Sequence, residues 1–206
     1  MSNILVYELC EKTYINLTNR CTNECVFCLR QDKDDVCGQT LWLDNEDFNS
    51  SDVIEQLNEV PSNNLSEVVF CGYGEPLLKL DILKEVAQYI RQNFPNTKIR
   101  VNTNGHANFI YKRNVVPELK GLIDEFSVSL NGKNEEEYNE LSQPKFSGAY
   151  QEVKKFIKAC SDENIDVVAT VVEGYKGRHI DLEEWEKTAL SLGAKFRARE
   201  WIVNGY

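Results

Sequence analysis

The chain has 206 residues, 42% of them hydrophobic and 27% charged, with 33 Asp+Glu against 23 Lys+Arg for a formal net charge of -10. These values fit one ordinary globular domain over residues 1–206, and the acidic balance argues against nucleic acid or an anionic membrane as a general partner. No run of about 18 apolar residues is present, and the N-terminus lacks a basic start and a long apolar stretch, so a cytoplasmic protein with no membrane span is expected.

Taken in chain order, strand-like runs alternate with helix-like ones. Residues 13–18 read as a strand, with Tyr14 and Ile15 β-prone. An irregular stretch at 19–44 follows, holding three cysteines and the acidic run Asp32-Lys33-Asp34-Asp35, read as a solvated loop. Ser51 is placed to cap a helix with Ile54, Leu57 and Val60 on one face. Residues 67–71 make a short buried-type strand, and Leu80, Leu83, Val86, Ile90 and Phe94 mark the stripe of a helix stopped by Pro95. Residues 98–102 are strand-like, and 109–119 predict a weaker helix interrupted by Pro117. Strand 125–130 alternates Phe126, Val128 and Leu130 with Ser127 and Ser129; a helix over 150–160 turns Val153, Phe156, Ile157 and Cys160 inward. Strand 166–172, a helix over 182–192 ended by Gly193, and a last strand at 195–201 complete the series.

Six strands alternating with helices predict a parallel α/β sheet, open or curled into a partial barrel, with ligands at the carboxyl ends of the strands. The distinctive segments 19–28, 72–76, 102–105 and 129–132 all fall at those ends.

Seven cysteines are many for a chain of this size; Cys21, Cys25 and Cys28 crowd into eight residues, while Cys10, Cys37, Cys71 and Cys160 are scattered. In a reducing compartment such a cluster reads as metal ligands rather than disulfides. Soft thiolates suit iron–sulfur clusters or zinc. Three thiolates leave one iron of a [4Fe–4S] cluster open, whereas adding Cys37 completes a four-thiolate zinc or cluster site; the spacing allows both. Asn102, Thr103, Asn104, Ser129 and Asn131 are strand-end polar groups, suited to ligand contact or to ordinary turn chemistry. Arg197 and Arg199 share one side of the last strand, as a carboxylate clamp or a solvated face. His106 and His179 read as surface or helix-start residues, and Cys71 as a small hydrophobe beside the Gly72 turn.

The C-x3-C-x-aromatic-C form, with Phe27 before Cys28, resembles the signature of the radical SAM superfamily. The segment Val68-Val69-Phe70-Cys71-Gly72-Tyr73-Gly74-Glu75-Pro76 is similar to the Gly-Gly-Glu-Pro motif of that family, with Tyr73 where the first glycine stands. Tyr14-Ile15-Asn16-Leu17-Thr18-Asn19-Arg20, Leu41-Trp42-Leu43 and residues 70–76 resemble the small TatD-associated radical SAM group. The resemblance implies a parallel six-stranded partial (β/α)6 barrel. It implies that Cys21, Cys25 and Cys28 bind three irons of a [4Fe–4S] cluster whose fourth iron takes S-adenosylmethionine. Cofactor contacts are implied at Phe27, Gly72, Tyr73, Gly74, Glu75, Asn102, Asn104, Ser129 and Asn131, with Arg199 as an inward-facing clamp. The chemistry implied is reductive cleavage of S-adenosylmethionine to a 5′-deoxyadenosyl radical, which removes hydrogen from a substrate that the sequence does not name. The electron comes from a flavodoxin or ferredoxin type donor, with Arg20 and Arg30 near its docking place. Carboxy-deazaguanine synthase and a glycyl-radical activase are alternatives within the family; a non-catalytic iron–sulfur or zinc binding module is the alternative outside it. So short a chain leaves the barrel mouth open, to a small molecule, to a peptide, or to a second copy in a homodimer.

Overall fold

A computed structural model describes residues 3–31, 33–36 and 38–201. Strands β1 (Val6–Leu9) and β2 (Lys12–Ile15) form an antiparallel hairpin turned by Cys10 and Glu11, both at positive φ. A separate two-stranded ribbon, β3 (Asp35–Val36) and β4 (Gln39–Thr40), lies within the stretch expected to be irregular. From β2 onward the main sheet is parallel, through β5 (Glu67–Phe70), β6 (Lys98–Thr103), β7 (Glu125–Ser129), β8 (Asp166–Glu173) and β9 (Lys195–Glu200). The order β1-β2-β5-β6-β7-β8-β9 never reverses, as in the wall of a barrel rather than a doubly wound sheet. The six expected strands are the six parallel ones. β1 is added at one edge, and β1 and β9 are not joined, so the barrel is partial.

Seven helices accompany the sheet among the described residues: α1 (Ser50–Asn58), α2 (Leu80–Asn93), α3 (Ala107–Ile110), α4 (Val116–Leu119), α5 (Glu135–Ser142), α6 (Ala149–Asp162) and α7 (Leu182–Ser191). Leu83, Val86 and Ile90 of α2 are completely buried, each contributing roughly 1.5–3 kcal/mol by removal from water. They pack with Val68, Phe70, Ile99, Val101, Phe126 and Val128 from one side of the sheet, joined by Val153, Phe156 and Ile157 of α6.

Side chains of the opposite parity on the same strands are polar except Val69. Arg100 donates to Glu67 at 2.9 Å and to Asn102 Oδ1 at 3.1 Å, and its guanidinium lies 4.0 Å from Glu125. Arg197 reaches over β8 to donate to Ser127 Oγ at 3.0 Å. The sheet therefore has an apolar helix-covered face and a polar one.

Three local expectations are corrected. The cap of α1 is Asn49, not Ser51: Asn49 accepts from Ser51 N–H and Asp52 returns the bond to Asn49 N–H, closing a capping box. Residues 109–119 are not one helix, because Pro117 occupies the first turn of α4, where a missing N–H does no harm. α5 was not anticipated. Its inward apolar residues are only Tyr138 and Leu141, and the Asn134 cap with Glu135, Glu136 and Glu137 in the first turn supports it instead. No helix among the described residues is long and apolar enough to cross a membrane.

Candidate functional site

The three clustered cysteines lie on the connection from β2 to β3, which is held on both sides by backbone contacts. On one side it runs against the turn after β5. Glu75 N–H donates to Arg20 O at 2.8 Å, and a Cβ built on Gly74 would stand 2.5 Å from Arg20 O and 2.7 Å from Thr18 C. Glycine is thus required at 74 because another stretch of backbone occupies the side-chain position. Gly72 is pressed in the same way by Asn16, whose Cγ would lie 2.5 Å from a Cβ there. On the other side the connection pairs with the end of α5: Glu24 N–H donates to Ser142 O at 3.1 Å, Val26 N–H to Leu141 O at 3.0 Å, and Lys145 N–H to Thr22 O at 2.9 Å.

Arg30 ties these edges together. It donates to the carbonyls of Asn19 (3.2 Å), Asn23 (3.0 Å) and Tyr73 (3.3 Å), so one guanidinium spans the connection and the turn after β5. Its expected place at a donor-docking surface is corrected: the charge is spent on backbone carbonyls inside the loop. Arg20 is exposed and pairs with Glu46 at 3.3 Å. Asn19 clasps Leu43 in both directions (2.8 and 3.0 Å) and Asn16 donates to Leu41 O at 2.7 Å, so residues 16–20 physically bind the Leu41-Trp42-Leu43 segment.

Cys21, Cys25 and Cys28 are free, half-buried thiols. Cys28 N–H donates to Cys25 O at 3.0 Å, the turn that draws the last two together. Cys21 Sγ receives Asn23 N–H at 3.5 Å and the Asn104 amide at 3.6 Å, and Cys25 is hydrogen-bonded by the Ser142 side chain. Burial raises the Cys25 thiol to about 12, with neighbouring Cys28 and Cys21 adding to the shift; burial, then Glu75, raises Cys21. Among the described residues no three His, Cys, Asp or Glu side chains are close enough to hold a single ion. Thiolates around one zinc sit about 3.8 Å apart by tetrahedral geometry, whereas thiolates on separate irons of a cluster sit wider. Cys37, the fourth ligand of the alternative site, lies outside the described residues.

A buried polar lattice backs the loop. Glu75 accepts from Thr103 Oγ1 (2.7 Å), Asn104 N–H (2.7 Å) and Leu77 N–H (3.1 Å); burial pushes its carboxyl up to about 7, with those bonds pulling the other way. The Asn104 side chain donates to Thr22 Oγ1 at 2.8 Å and accepts from His106 N–H at 3.1 Å. His106 is 1% exposed and is the N-cap residue of α3, so of the two expectations, surface or helix start, the helix start holds. Its Nδ1 lies 2.8 Å from Thr22 Oγ1 and its Nε2 2.8 Å from the Tyr138 hydroxyl, and burial lowers it to about 4, which keeps it neutral. His106, Tyr138 and Ser142 were missed as site residues, and Arg30 was given another role, because no local pattern marks their contacts; each acts on a segment far away in sequence.

The remaining expected residues divide into groups. Tyr73 is buried, its hydroxyl donating to Lys33 O at 2.9 Å and its ring edge-on to Trp42. Asn102 bonds Arg100 and Cys71, on the polar face. Ser129 is half-buried at the end of β7. Asn131, at φ 51°, donates to Ser142 Oγ at 3.4 Å, while its own Oδ1 is buried without a partner among the described residues. Arg199 lies beside Val172 in register, and its charge acts on the Cys71 thiol. Phe27 is set apart from the lattice, edge-on to Tyr175, which in turn meets Trp201.

Residues 15–192 match the Radical SAM superfamily, a span from the end of β2 through α7 that includes the cysteine loop and the lattice behind it. The chain belongs to that superfamily. Among relatives of this radical SAM chain, an uncharacterized protein of Methanocaldococcus jannaschii is 24% identical over 184 residues, 88% of this chain and 59% of its own length. Among solved structures, Streptococcus suis SuiB bound to its precursor peptide SuiA superposes with a TM-score of 0.65 at 16% identity, over 92% of this chain and 39% of SuiB. SuiB has also been solved bound to S-adenosylmethionine. TsrM of Kitasatospora setae, a methyltransferase with cobalamin and a [4Fe–4S] cluster bound, superposes at 0.53 with 10% identity, over 87% of this chain and 35% of its own. These likenesses show the shared fold, and the chain spans only part of each of these proteins.

Proposed function

We propose that the chain is a radical SAM enzyme in which Cys21, Cys25 and Cys28 hold a [4Fe–4S] cluster through three irons and the fourth iron takes S-adenosylmethionine. The observation that carries this reading is the loop itself. Three free thiols stand at the carboxyl ends of β2, β5 and β6, two of them receiving side-chain hydrogen bonds, on a backbone pinned by Gly74, Glu75 and Arg30. The donor set suits iron, since soft thiolates with hydrogen-bond donors aimed at sulfur are how iron–sulfur sites are held and tuned. Cluster and cofactor together supply one-electron cleavage to methionine and a 5′-deoxyadenosyl radical that removes hydrogen from an unactivated carbon.

The chain's own residues bind and orient. The turn at Gly72, Tyr73, Gly74 and Glu75 offers backbone beside the cysteines, and Asn131 Oδ1 and Asn23 Oδ1, two of three buried acceptors without a partner among the described residues, suit a ligand bearing N–H donors. Asn102, Asn104, Ser129 and Arg199 surround the same end of the sheet, with Phe27 as an aromatic wall for adenine. Asn104 contributes through Cys21 and Thr22. The TatD-associated subgroup is the finer reading, supported by the mutual clasp of residues 16–20 and Leu41-Trp42-Leu43. A peptide substrate is supported by the unclosed sheet and by SuiB, solved with a precursor peptide.

The test is anaerobic reconstitution followed by dithionite and S-adenosylmethionine. About four irons per chain are expected, with slow release of methionine and 5′-deoxyadenosine. Cys21→Ala, Cys25→Ala and Cys28→Ala should each lose both, while Cys37→Ala keeps them. A fully loaded, reduced sample that leaves the cofactor intact would move the chain to a binding role.

A further inference from the structure

Beside the cysteine loop the surface is apolar. Phe109 and Ile110, on α3, are 43% and 37% exposed. Phe109 lies flat on Phe146, with ring centroids 4.0 Å and planes 6° apart. Adjacent exposed Phe109 and Ile110, backed by half-buried Phe146 and rimmed by polar residues, mark a surface that meets something else, whereas single exposed hydrophobics need no explanation.

Behind the stack the contacts lead straight to the site. Phe146 meets the His106 ring edge-on at 4.8 Å, and His106 Nδ1 is 2.8 Å from the hydroxyl of Thr22, the residue after Cys21. Two side chains, Phe146 and His106, therefore separate Phe109 in solvent from the residue next to a cysteine.

The rim is cationic, on a chain whose net charge is -10. Lys112 and Arg113 follow α3 directly, Lys145 precedes Phe146, and Lys154 stands on α6, which packs against α3. Lys112 has no carboxylate partner among the described residues, and Lys154 lies over the Tyr150 ring at 5.3 Å rather than against an acid. Arg113 shares Glu118 with Lys84, and Lys145 pairs with exposed Glu24 at 3.2 Å. An apolar centre inside a positive rim fits a small acidic protein.

We infer that the Phe109–Phe146 face is where an acidic, one-electron carrier of the reduced-flavin class docks, delivering its electron through the His106 side of the cysteine loop. The inference rests on the radical SAM reading, which requires one electron for each cleavage. In the step the reduced flavin loses one electron and the cluster passes from [4Fe–4S]2+ to [4Fe–4S]1+; no bond is made or broken on the chain.

The experiment compares reconstituted wild type, Phe109→Ser and the double variant Lys112→Glu/Lys154→Glu. Each is mixed anaerobically with chemically reduced flavodoxin, or with dithionite, and loss of the cluster's visible absorbance is timed. The charge-reversed variant should be reduced by flavodoxin about tenfold more slowly at low salt, with the difference shrinking at high salt. Phe109→Ser should slow the reaction at both. Iron content and the dithionite rate should match wild type. Flavodoxin rates equal across all three would overturn the assignment, as would equal slowing with dithionite, which would mean that the cluster and not the docking had changed. A dimer that Phe109→Ser converts to monomer would give the face to a second copy and overturn it too. A wild-type chain that takes up no iron would instead sink the radical SAM reading beneath it.

Discussion

Replacing Gly74 by alanine tests whether the turn after β5 is there to receive a ligand or to receive the cysteine loop. An alanine Cβ would lie on the Thr18 carbonyl and 2.5 Å from Arg20 O, roughly 1 Å short of ordinary van der Waals contact. Neither atom belongs to a flexible side chain. The loop or the turn must therefore retreat, and the 2.8 Å bond from Glu75 N–H to Arg20 O lies in the line of that retreat. Overpacking of this kind costs roughly 1–3 kcal/mol and loss of a buried backbone hydrogen bond roughly another 1 kcal/mol. For a chain of this length a total near 3 kcal/mol lowers Tm by roughly 6–12 °C. Arg30 also holds the Tyr73 carbonyl, one residue before Gly74, so displacement of the turn reaches Asn19 and Asn23 on either side of Cys21.

The expected outcome is a joint one: lower Tm for the cluster-free chain, and reduced iron uptake on anaerobic reconstitution. Gly38→Ala is the control. Gly38 has φ 76° with nothing among the described residues within 4 Å of a Cβ, so it should lose only the roughly 1 kcal/mol of left-handed strain and leave the iron unchanged. Gly74→Ala with wild-type Tm and full iron, but weakened binding of S-adenosylmethionine, would refute the backbone-contact argument and return the glycine to a purely ligand-facing role.

Two further outcomes follow from the lattice behind the loop. His106 is held near pKa 4 by burial, against 6.5 for the ordinary side chain, so the unfolded chain takes up its proton first and stability falls as pH drops from about 6.5 toward about 4. Urea titrations of the cluster-free chain should therefore show wild type losing about 2 kcal/mol more than His106→Gln between about pH 7.5 and about pH 5, and equal losses would mean that the imidazole is hydrated. Ser142→Ala removes the side-chain hydrogen bond to Cys25, so potentiometric titration of the reconstituted chain should give a more negative cluster potential that Ser142→Thr restores. An unchanged potential at full iron content would show that the hydroxyl does not act on that sulfur.

How far the sequence reached can be judged from particular residues. The six parallel strands were legible because each is a short apolar run, some alternating, as Phe126 and Val128 against Ser127 and Ser129, and some apolar at both parities, as Val167, Val168, Val171 and Val172. β1 was not, since four residues including exposed Glu8 carry too little pattern. The cysteine spacing and the Gly74-Glu75-Pro76 turn were visible as local motifs, but their relation was not. That Gly74 touches Thr18, that Glu75 bonds the ends of both β6 and the cysteine loop, and that Asn104 faces Cys21 are contacts between segments 28 to 83 residues apart. His106 shows the limit most clearly. A lone histidine there reads as surface or helix start; the helix start holds, but only the convergence of Thr22, Tyr138 and Phe146 around it buries it.

That division bears on where a substrate would be recognised. Gly74, Glu75, Asn104 and Arg30 are all engaged in assembling the loop, so their chemistry is committed before any substrate arrives. At the lower end of the polar face, Arg100 is already neutralised by Glu67 and Glu125 and forms a closed floor. What is left between floor and loop is Ser127 with Arg197, then Ser129 at the end of β7 and Thr170 beside it in register. Arg197 has one end anchored on buried Ser127, with Ser127 its only partner among the described residues. Differences in substrate between this chain and others of the same fold should therefore map to that middle layer rather than to the cysteine motif. Under this argument Arg197→Gln should leave iron content and the slow dithionite-driven cleavage of S-adenosylmethionine intact, and should abolish the acceleration that a true substrate gives once one is found by screening cell extracts. Acceleration that survives the substitution would place recognition elsewhere on the open sheet.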